Sequence, residues 1–249
     1  VPSEKPQDYY DAIKQRFAEE RDVRLKYRPE GLSQYTSDLE GDLAKYEVDP
    51  YAEDQIEREP ITDHVECLFI GGGFSALLTA ARLRERGVES IRIVERGSDV
   101  GGTWYWNRYP GASCDIEAYV YLPLLEETGF IPQQKYTNAE ETLEYCEVLA
   151  QRYGLHEHAL LQTQVKKVAW QESSRRWEVT TDRGDVLHAR FVIHSNGPLN
   201  RPKLPGIKGI DQFKGHTFHT SRWDYAYTGG NTFGGLSHLS DKRVAVIGT

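Results

Sequence analysis

The sequence predicts an α/β fold in which a parallel sheet is extended by an antiparallel β-meander. An apolar run at residues 65–70 ends in a glycine cluster, an amphipathic stretch follows at 75–86, and a second apolar run follows at 90–95. A strand, a helix and a strand in this order form a parallel pair through a right-handed crossover. Three short β-type runs between residues 165 and 189, with a turn signal before the last, predict the meander.

Length, charge and cysteine count limit the possible classes of protein. The 249 residues, 39% of them hydrophobic, suffice for one large domain or two small ones. A net charge of −8 argues against nucleic-acid and anionic membrane partners, and neither a membrane span nor a signal peptide is visible. Three cysteines without CxxC spacing argue against a disulfide framework or a metal site. We therefore expect a cytoplasmic protein without a metal.

Residues 1–60 are predicted to be an N-terminal extension. They are polar and lack Gly-rich turns, and Tyr9, Ile13 and Phe17 recur at the spacing of one helix face within residues 8–26. A Pro-Glu-Gly sequence then ends this helix. The preferred interpretation is an extension that packs on the main domain, and a partner-binding arm is the alternative.

Residues 71–76, with the sequence GGGFSA, fit the G-x-G-x-x-[G/A] pattern of dinucleotide-binding loops. Gly71 permits the tight turn, Gly73 lets a pyrophosphate approach the backbone, and Ala76 allows close packing of helix on strand. The helix N-terminus supplies N–H groups for phosphates. Glu95 ends the next strand, where it accepts hydrogen bonds from ribose hydroxyls. A Rossmann-type nucleotide site is preferred over a glycine turn that binds nothing.

Residues 100–115 fit neither a helix nor a regular strand. Trp104, Tyr105 and Trp106 lie between glycines, an arrangement that suits the stacking of a flat ring system. Asp115 would then be a carboxylate at the rim of the pocket. On the residues alone, a minor aromatic core with Asp115 capping a turn is an equally good interpretation.

The rest of the chain completes this plan. A helix is predicted at residues 139–153, and the meander is followed by a strand at 190–194 that returns to the parallel sheet. A loop rich in Pro and Gly follows at 196–206. Residues 243–248 repeat the pattern of an apolar run that ends in glycine. They predict the first strand of a second dinucleotide-binding unit.

Residues 213–224 fit the pattern F-x-G-x-x-x-H-x-x-x-W-[P/D] and are called the fingerprint segment below. A histidine and a tryptophan four residues apart in a linker indicate an anchor between domains. The fixed positions of the pattern are Phe213, Gly215, His219, Trp223 and Asp224.

On these motifs the chain resembles the class B flavin monooxygenases, and especially the Baeyer–Villiger monooxygenases. Their first half carries the glycine loop, then G-G-x-W-Y-W-N-R-Y-P-G-x-x-C-D, which matches residues 101–115, and then the fingerprint pattern. Trp223 separates the chain from the related N- and S-oxygenases, which usually have Tyr or Phe there. The tail before residue 60 resembles the longer members that act on bulky or polycyclic ketones.

The resemblance implies a Rossmann-type flavoprotein that binds two dinucleotides. Residues 1–60 would be the extension, 61–225 the FAD-binding domain, and 226–249 the linker and the start of a truncated NADP-binding domain. FAD and NADPH would be the cofactors, and a small-molecule ketone and O₂ the substrates. Reduced flavin would form a C4a-peroxyflavin that attacks the ketone, and the adduct would rearrange to an ester or lactone.

The family also implies roles for individual residues. Asp115 is the catalytic candidate, as the partner of an active-site arginine expected in the C-terminal half of the same enzyme. His219 is not assigned as a base, because the family's fingerprint is thought to couple domain movement to cofactor position. Together, the motifs and the resemblance assign cofactor binding to Gly71, Gly73, Phe74, Ser75, Ala76, Glu95, Gly102, Thr103, Trp104, Trp106, Ser113, Cys114, Asp115, Tyr121, Val165, Gly248 and Thr249.

Three other functions compete with this one. An oxygenase of the same class that acts on nitrogen or sulfur is disfavoured by Trp223 and Asp224. A non-catalytic FAD-binding fragment that assembles with a partner is the alternative from a different class. A thioredoxin-reductase-type disulfide enzyme is disfavoured because the sequence has no CxxC pair.

Overall fold

A computed structural model describes residues 6–26, 35–36, 39–207 and 209–248. Its α-helices are α1 (Gln7–Lys26), α2 (Phe74–Glu85), α3 (Thr103–Trp106), α4 (Ala118–Tyr121), α5 (Leu125–Thr128), α6 (Ala139–Arg152) and α7 (Tyr225–Thr228). Its strands are β1 (Tyr35–Thr36), β2 (Thr62–Ile70), β3 (Ile91–Val94), β4 (Ala159–Leu160), β5 (Val165–Gln171), β6 (Arg176–Thr181), β7 (Val186–His194) and β8 (Leu204–Pro205). Short 3-10 helices span Gly41–Glu47, His156–His158, Ile210–Gln212, Thr220–Arg222 and Ser237–Leu239. In this described part, no helix is long and apolar enough to cross a membrane.

Six strands form one mixed sheet in the order β4-β3-β2-β7-β6-β5. The first four are parallel to one another, and β7, β6 and β5 are antiparallel. Cys67 of the central strand β2 aligns with Ile91 of β3 on one side and with Phe191 of β7 on the other. The predicted α/β fold, with a parallel sheet and a β-meander, is confirmed.

The core lies on both faces of β2. Phe69 packs with Leu77 of α2 and Leu149 of α6 on one face, while Leu68 packs with Leu187 on the other. A strand covered on both faces has a continuous apolar run rather than alternating polarity. This is why residues 65–70 predicted a buried strand, and the β2–α2–β3 unit and helix α6 are confirmed.

The two strands predicted at residues 186–189 and 190–194 are one strand, β7. Its first half pairs with β6, and its whole length pairs with β2, from Thr62 opposite Val186 to Ile70 opposite His194. No glycine or proline interrupts residues 186–194, so nothing breaks the extended backbone. The meander and the parallel sheet therefore share a strand.

The strand predicted at residues 243–248 is wrong for the described residues, which have no regular secondary structure there. Val244, Val246 and Ile247 are exposed, Val246 to 82%. A parallel strand requires neighbours on its edges and cover on its faces, and none of the strands that the structure describes pairs with this segment. An apolar sequence alone does not supply that environment.

The N-terminal extension divides into two parts with different environments. Helix α1 is present as predicted, but none of its residues is buried and Phe17 is 63% exposed. Leu39 and Tyr46, in contrast, pack with Leu204 in a small core. The prediction of an extension that packs on the main domain is therefore confirmed from residue 39 onward and is wrong for α1.

Candidate functional site

A cavity of about 360 Å³ lies at the carboxyl ends of β2, β3 and β7. Its volume is within the range of about 300–1,000 Å³ that is typical of small-molecule sites. The crevice at the carboxyl ends of parallel strands is also where open α/β sheets bind ligands. Its walls come from the loop after β2 and the start of α2, the segment from Glu95 to Trp106, and the loop after β7.

Two glycines let the backbone segments around the cavity approach closely. Gly71 has φ +102°, and a Cβ there would lie 2.6 Å from the carbonyl oxygen of Ser195. Gly102 has φ +53°, and its Cβ would lie 2.8 Å from the Cα of Gly73. Helix α2 begins at the next residue, Phe74, and Gly73 provides no side-chain cap. The first N–H groups of α2 are therefore left for a ligand, as phosphate binding requires.

Glu95 is a buried carboxylate at the end of β3. Its Oε2 accepts a hydrogen bond of 2.6 Å from the Gly72 N–H, and its Oε1 accepts one of 2.7 Å from the Gly97 N–H. Burial raises the pKa of Glu95, and these two hydrogen bonds act in the opposite direction. Each oxygen keeps a second lone pair, so the side chain can still accept a hydroxyl of a ligand in the cavity that it lines.

Three aromatic side chains form one wall of the cavity. Phe74 and Trp104 both meet Tyr121 edge-on, at centroid distances of 5.6 Å and 5.8 Å. The Trp104 Nε1–H donates a hydrogen bond of 2.9 Å to the Tyr121 hydroxyl. Burial raises the pKa of Tyr121, so its hydroxyl stays neutral. The wall offers flat apolar surfaces at fixed angles, which suits a planar ring system.

The loop after β7 is a part of the site that the sequence motifs missed. Its side-chain and backbone atoms complete the lining, and Asn107 holds it in place by donating a hydrogen bond of 2.9 Å to the Leu199 carbonyl oxygen. A signal was available, because a strand parallel to β2 ends at the same edge of the sheet and runs into a loop rich in Gly and Pro. The lining residues here are His194 at the end of β7 and, in the loop, Ser195, Asn196, Gly197, Leu199 and Asn200.

The structure brings most of the predicted cofactor residues together. Those that line the cavity are Gly71, Gly73, Phe74, Ser75, Glu95, Gly102, Thr103, Trp104, Trp106 and Tyr121. Ala76 is fully buried next to them in the core. Val165 lies at the start of β5 opposite Thr181, outside the lining. Gly248 is exposed in the irregular segment, and Thr249 lies outside the described residues.

Residues 113–115 lie outside the cavity lining. Ser113 forms a β-bridge with Asn138, and the Cys114 N–H donates a hydrogen bond of 2.8 Å to the Thr137 carbonyl oxygen. The Cys114 side chain is buried in a cluster with Trp104. Asp115 follows it and is exposed. The structure thus presents the carboxylate at the surface, next to the aromatic wall rather than in the cavity.

The fingerprint segment is held by short-range hydrogen bonds. Asp224 caps α7 by accepting a hydrogen bond of 2.9 Å from the Tyr227 N–H, and Trp223 donates one of 3.1 Å to Thr228. The His219 Nδ1 accepts a hydrogen bond from the Ser221 N–H, and burial lowers the pKa of His219. Phe213 is exposed, and its ring leaves no room for a Cβ at Gly215. These contacts fix the local conformation of the fingerprint segment, and its role as an anchor between domains stays a prediction.

Comparison with known proteins identifies the family. The sequence profile described as Pyridine nucleotide-disulphide oxidoreductase matches residues 68–234, more than half of the chain. The chain belongs to the pyridine nucleotide-disulphide oxidoreductase family. All three cysteines of the chain are free and buried, so no disulfide joins any two of them.

Proteins similar to this chain include proteins of the type that the motifs indicated. The pentalenolactone D synthase of Streptomyces arenae is 50% identical over 96% of this chain and 40% of its own length. A Baeyer–Villiger monooxygenase of Streptomyces coelicolor is 49% identical over 95% of this chain and 39% of its own length. The chain thus spans about 40% of the length of these relatives. Its resemblance to the Baeyer–Villiger monooxygenases is confirmed.

Solved structures agree with the sequence relatives. The polycyclic ketone monooxygenase of Thermothelomyces thermophila superposes with a TM-score of 0.85 at 34% identity, over 96% of this chain and 41% of that one. A complex of OTEMO with FAD and NADP superposes with a TM-score of 0.59 at 37% identity, over 67% of this chain and 31% of that one. The higher score comes from the structure that also covers the N-terminal extension.

Proposed function

We propose that this chain is the FAD-binding part of an FAD- and NADPH-dependent monooxygenase. The whole enzyme inserts one oxygen atom of O₂ next to a ketone carbonyl and yields an ester or lactone. The observation that supports FAD binding is the cavity wall in which Gly71 and Gly102 leave no room for side chains, beside the uncapped start of α2 and the buried Glu95. Ketone oxidation is supported by the names of the relatives and of the superposed structures.

Each part of the cavity has a function in this proposal. The N–H groups at the start of α2 bind the pyrophosphate, and Glu95 accepts hydrogen bonds from the ribose hydroxyls. Phe74, Trp104 and Tyr121 orient the ring system, and the loop after β7 shields it from water. Bound FAD supplies the redox chemistry, accepting a hydride from NADPH and activating O₂. The protein contributes orientation, charge and the exclusion of water.

Asp115 is proposed to act in the whole enzyme rather than in this chain alone. Its carboxylate is exposed beside the aromatic wall, where it can pair with an arginine from the C-terminal half of the same enzyme. If the C-terminal half covers this surface, the carboxylate and the arginine are buried together, and each stabilises the other only when both are present. Ser113 and Cys114 are proposed to lie along the nicotinamide end of NADP. Bulky or polycyclic ketones are the proposed substrates, and a reducing, cytoplasmic setting agrees with three free cysteines.

FAD binding is tested with Gly73→Asp in the chain. A carboxylate at this position repels the pyrophosphate, so we expect bound flavin to fall to background. The control is Ser173→Asp, which adds the same charge at an exposed turn position outside the cavity lining; it should retain flavin. The measurement is the flavin absorbance per mole of purified protein. Equal flavin in the two variants would refute the site.

The oxygenation chemistry is tested with the whole enzyme, NADPH and a bicyclic ketone under ¹⁸O₂. We expect an ester or lactone with one ¹⁸O atom. The variant Asp115→Ala should lower the rate of ester formation on the order of 100-fold by removing a charged partner, without loss of bound FAD. A normal rate would remove Asp115 from the mechanism, and oxidation of amine or sulfide substrates only would favour the N- or S-oxygenase alternative.

A further inference from the structure

Tyr105 and Trp106 of α3 are enclosed by charged and aromatic side chains from three distant parts of the sequence. No motif predicted this arrangement, which we call the arginine–aromatic cluster. Its members are Tyr51, Arg96, Tyr105, Trp106, Arg108 and Arg222. The cluster joins the N-terminal extension, the aromatic stretch and the fingerprint segment.

Arg222 connects two walls of the cavity. Its guanidinium carbon lies 4.2 Å from the centroid of the Trp106 ring, and its Nη2 donates a hydrogen bond of 3.2 Å to the Asn200 carbonyl oxygen. Trp106 and Asn200 both line the cavity. Arg222 is buried, so its cation–π contact is shielded from water and correspondingly strong. Movement of this side chain would therefore displace both walls.

Asp49 holds the neighbouring residue Tyr105 from the N-terminal side. Its Oδ2 accepts hydrogen bonds of 2.6 Å from the Tyr105 hydroxyl and 3.0 Å from the Ser98 N–H. Its Oδ1 accepts a hydrogen bond of 3.0 Å from the Tyr51 N–H. The Asp49 carboxylate thus connects the loop after β3 to α3. Its hydrogen bond to the Tyr51 N–H also fixes the backbone of residues 49–51.

The charges of the cluster are balanced by the same N-terminal segment. Glu47 lies 3.0 Å from Arg96, whose guanidinium also lies over the Trp106 ring at 5.5 Å. Burial and the nearby Arg96 lower the pKa of Arg222 to about 10, and Tyr51, Asp49 and Glu47 act in the opposite direction. Arg222 therefore stays a cation at neutral pH.

We propose that Asp49 and Arg222 are positioning residues for the cofactor site. From outside the cavity lining they hold Tyr105 and Trp106 in the orientation that the flavin requires. The N-terminal segment around Asp49 is therefore an outer wall of the site rather than a passive extension. This inference rests on the proposed FAD function.

The first experiment compares Arg222→Met with the parent chain. Loss of the buried cation–π contact and of the hydrogen bond to Asn200 should weaken FAD binding about tenfold and change the visible circular dichroism of bound flavin. Arg190→Met is the matched control, because Arg190 lies 5.1 Å from the Phe191 ring centroid but is exposed; it should change neither quantity. Parent-like FAD affinity and dichroism in Arg222→Met would overturn the role of Arg222.

The second experiment uses two conservative substitutions that should leave the fold intact. Asp49→Asn and Tyr105→Phe both weaken the hydrogen bond that these two side chains share, and each should weaken FAD binding by about fivefold. The double variant should bind no more weakly than the single ones, because both act through the same contact. Additive losses, or unchanged affinity in both single variants, would overturn the role of Asp49.

A third measurement separates this inference from the FAD proposal. Near-ultraviolet circular dichroism of the flavin-free chain sums the signals of 5 Trp and 15 Tyr, and the difference between a variant and the parent reports a change in the packing of Tyr105 and Trp106. We expect Arg222→Met and Tyr105→Phe to reduce this signal and Arg190→Met to leave it unchanged. If the parent binds no FAD, the function proposal fails while this signal still tests the positioning contacts. A signal unchanged in Arg222→Met would refute the inference whether or not FAD binds.

Discussion

Residues 65–71 and residues 243–248 share a sequence pattern, an apolar run that ends in glycine, but they have different environments. The first run forms most of β2, lies between β3 and β7, and is covered on both faces. The second has no regular structure, and Val246 within it is 82% exposed. Their glycines differ in the same way, because a Cβ on Gly71 would meet the Ser195 backbone whereas one on Gly248 would meet nothing within 4 Å.

The difference shows that such a pattern specifies a strand only where neighbouring strands and helices are available. Hydrogen bonds to two neighbours and two covered faces stabilise β2, and each contribution comes from another part of the chain. The buried carboxylate of Asp185 also stabilises β2, because it accepts a hydrogen bond of 3.0 Å from the Ile61 N–H directly before the strand. Substitutions in the two runs should therefore differ strongly in their effect on stability.

The largest difference in stability is expected between substitutions of the glycines that end the two runs. Gly71→Ala places a methyl group 2.6 Å from the Ser195 carbonyl oxygen at φ +102°, so we expect a loss of about 4 kcal/mol in the free energy of unfolding. Gly248 also has a positive φ, +144°, but its segment has no regular structure and its backbone can adjust, so Gly248→Ala should change the free energy of unfolding by less than about 0.5 kcal/mol. Urea denaturation of the flavin-free chain measures both. If Gly71→Ala left the free energy of unfolding unchanged, the loops after β2 and β7 would be able to separate without cost.

A somewhat smaller effect is expected for apolar side chains in the two runs. Leu68 is 0% exposed, so Leu68→Ala leaves a cavity and should lower the free energy of unfolding by about 3 kcal/mol. Val246→Ala removes a side chain that is 82% exposed, and it should change stability by less than about 0.5 kcal/mol. Thermal and urea unfolding of the two variants give the comparison. Equal losses would mean that Val246 is buried in solution.

The smallest of the three effects concerns the carboxylate that anchors the start of β2. Burial alone would raise the pKa of Asp185, but hydrogen bonds from Arg58, Thr181 and the Ile61 N–H outweigh it and lower the pKa to about 2. The unfolded chain binds this proton at a higher pH than the folded chain does. The Asp185 carboxylate therefore stabilises the fold above about pH 4, and this stabilisation is lost as the pH falls toward the folded-state pKa. This loss should amount to about 2 kcal/mol.

Urea denaturation between pH 2 and 6 measures this dependence. Asp185→Asn removes the titrating group, so its stability should depend less on pH over this range than that of the parent. Asp115→Asn is the comparison, because Asp115 is exposed, and it should leave the parent's dependence unchanged. Parallel curves for the parent and Asp185→Asn would show that Arg58 and Asp185 are not paired in solution.

The sequence predicted the parts of the fold and site that depend on local patterns. The alternation of β2, α2 and β3 follows from hydrophobic periodicity and glycine placement, and the glycine loop and Glu95 follow from fixed spacing. The aromatic wall required the resemblance, since residues 100–115 have no periodicity of their own. These elements interact over short distances in the chain, so their neighbours in sequence are informative.

The rest of the site depends on contacts between distant segments. Asn200 reaches the cavity only because β7 pairs with β2, and Arg222 reaches Trp106 only after the fingerprint segment packs on α3. Asp49 lies in the extension, which was predicted to pack on the main domain, but the sequence did not indicate which of its residues make the contact. No local pattern encodes the pairings of Asp49 with Tyr105 and of Arg222 with Trp106, whose partners are more than 50 residues apart.

The pairing of β7 with β2 also sets an order of events during synthesis. The glycine loop, Glu95 and the aromatic stretch leave the ribosome before the loop after β7, yet all of them line one cavity. Under the proposed function, a nascent chain that ends before residue 194 lacks the whole wall formed by His194 and the loop after β7, so its site for FAD is open on that side. Cofactor capture therefore marks completion of the sheet, and bound FAD stabilises the finished domain without holding its earlier intermediates.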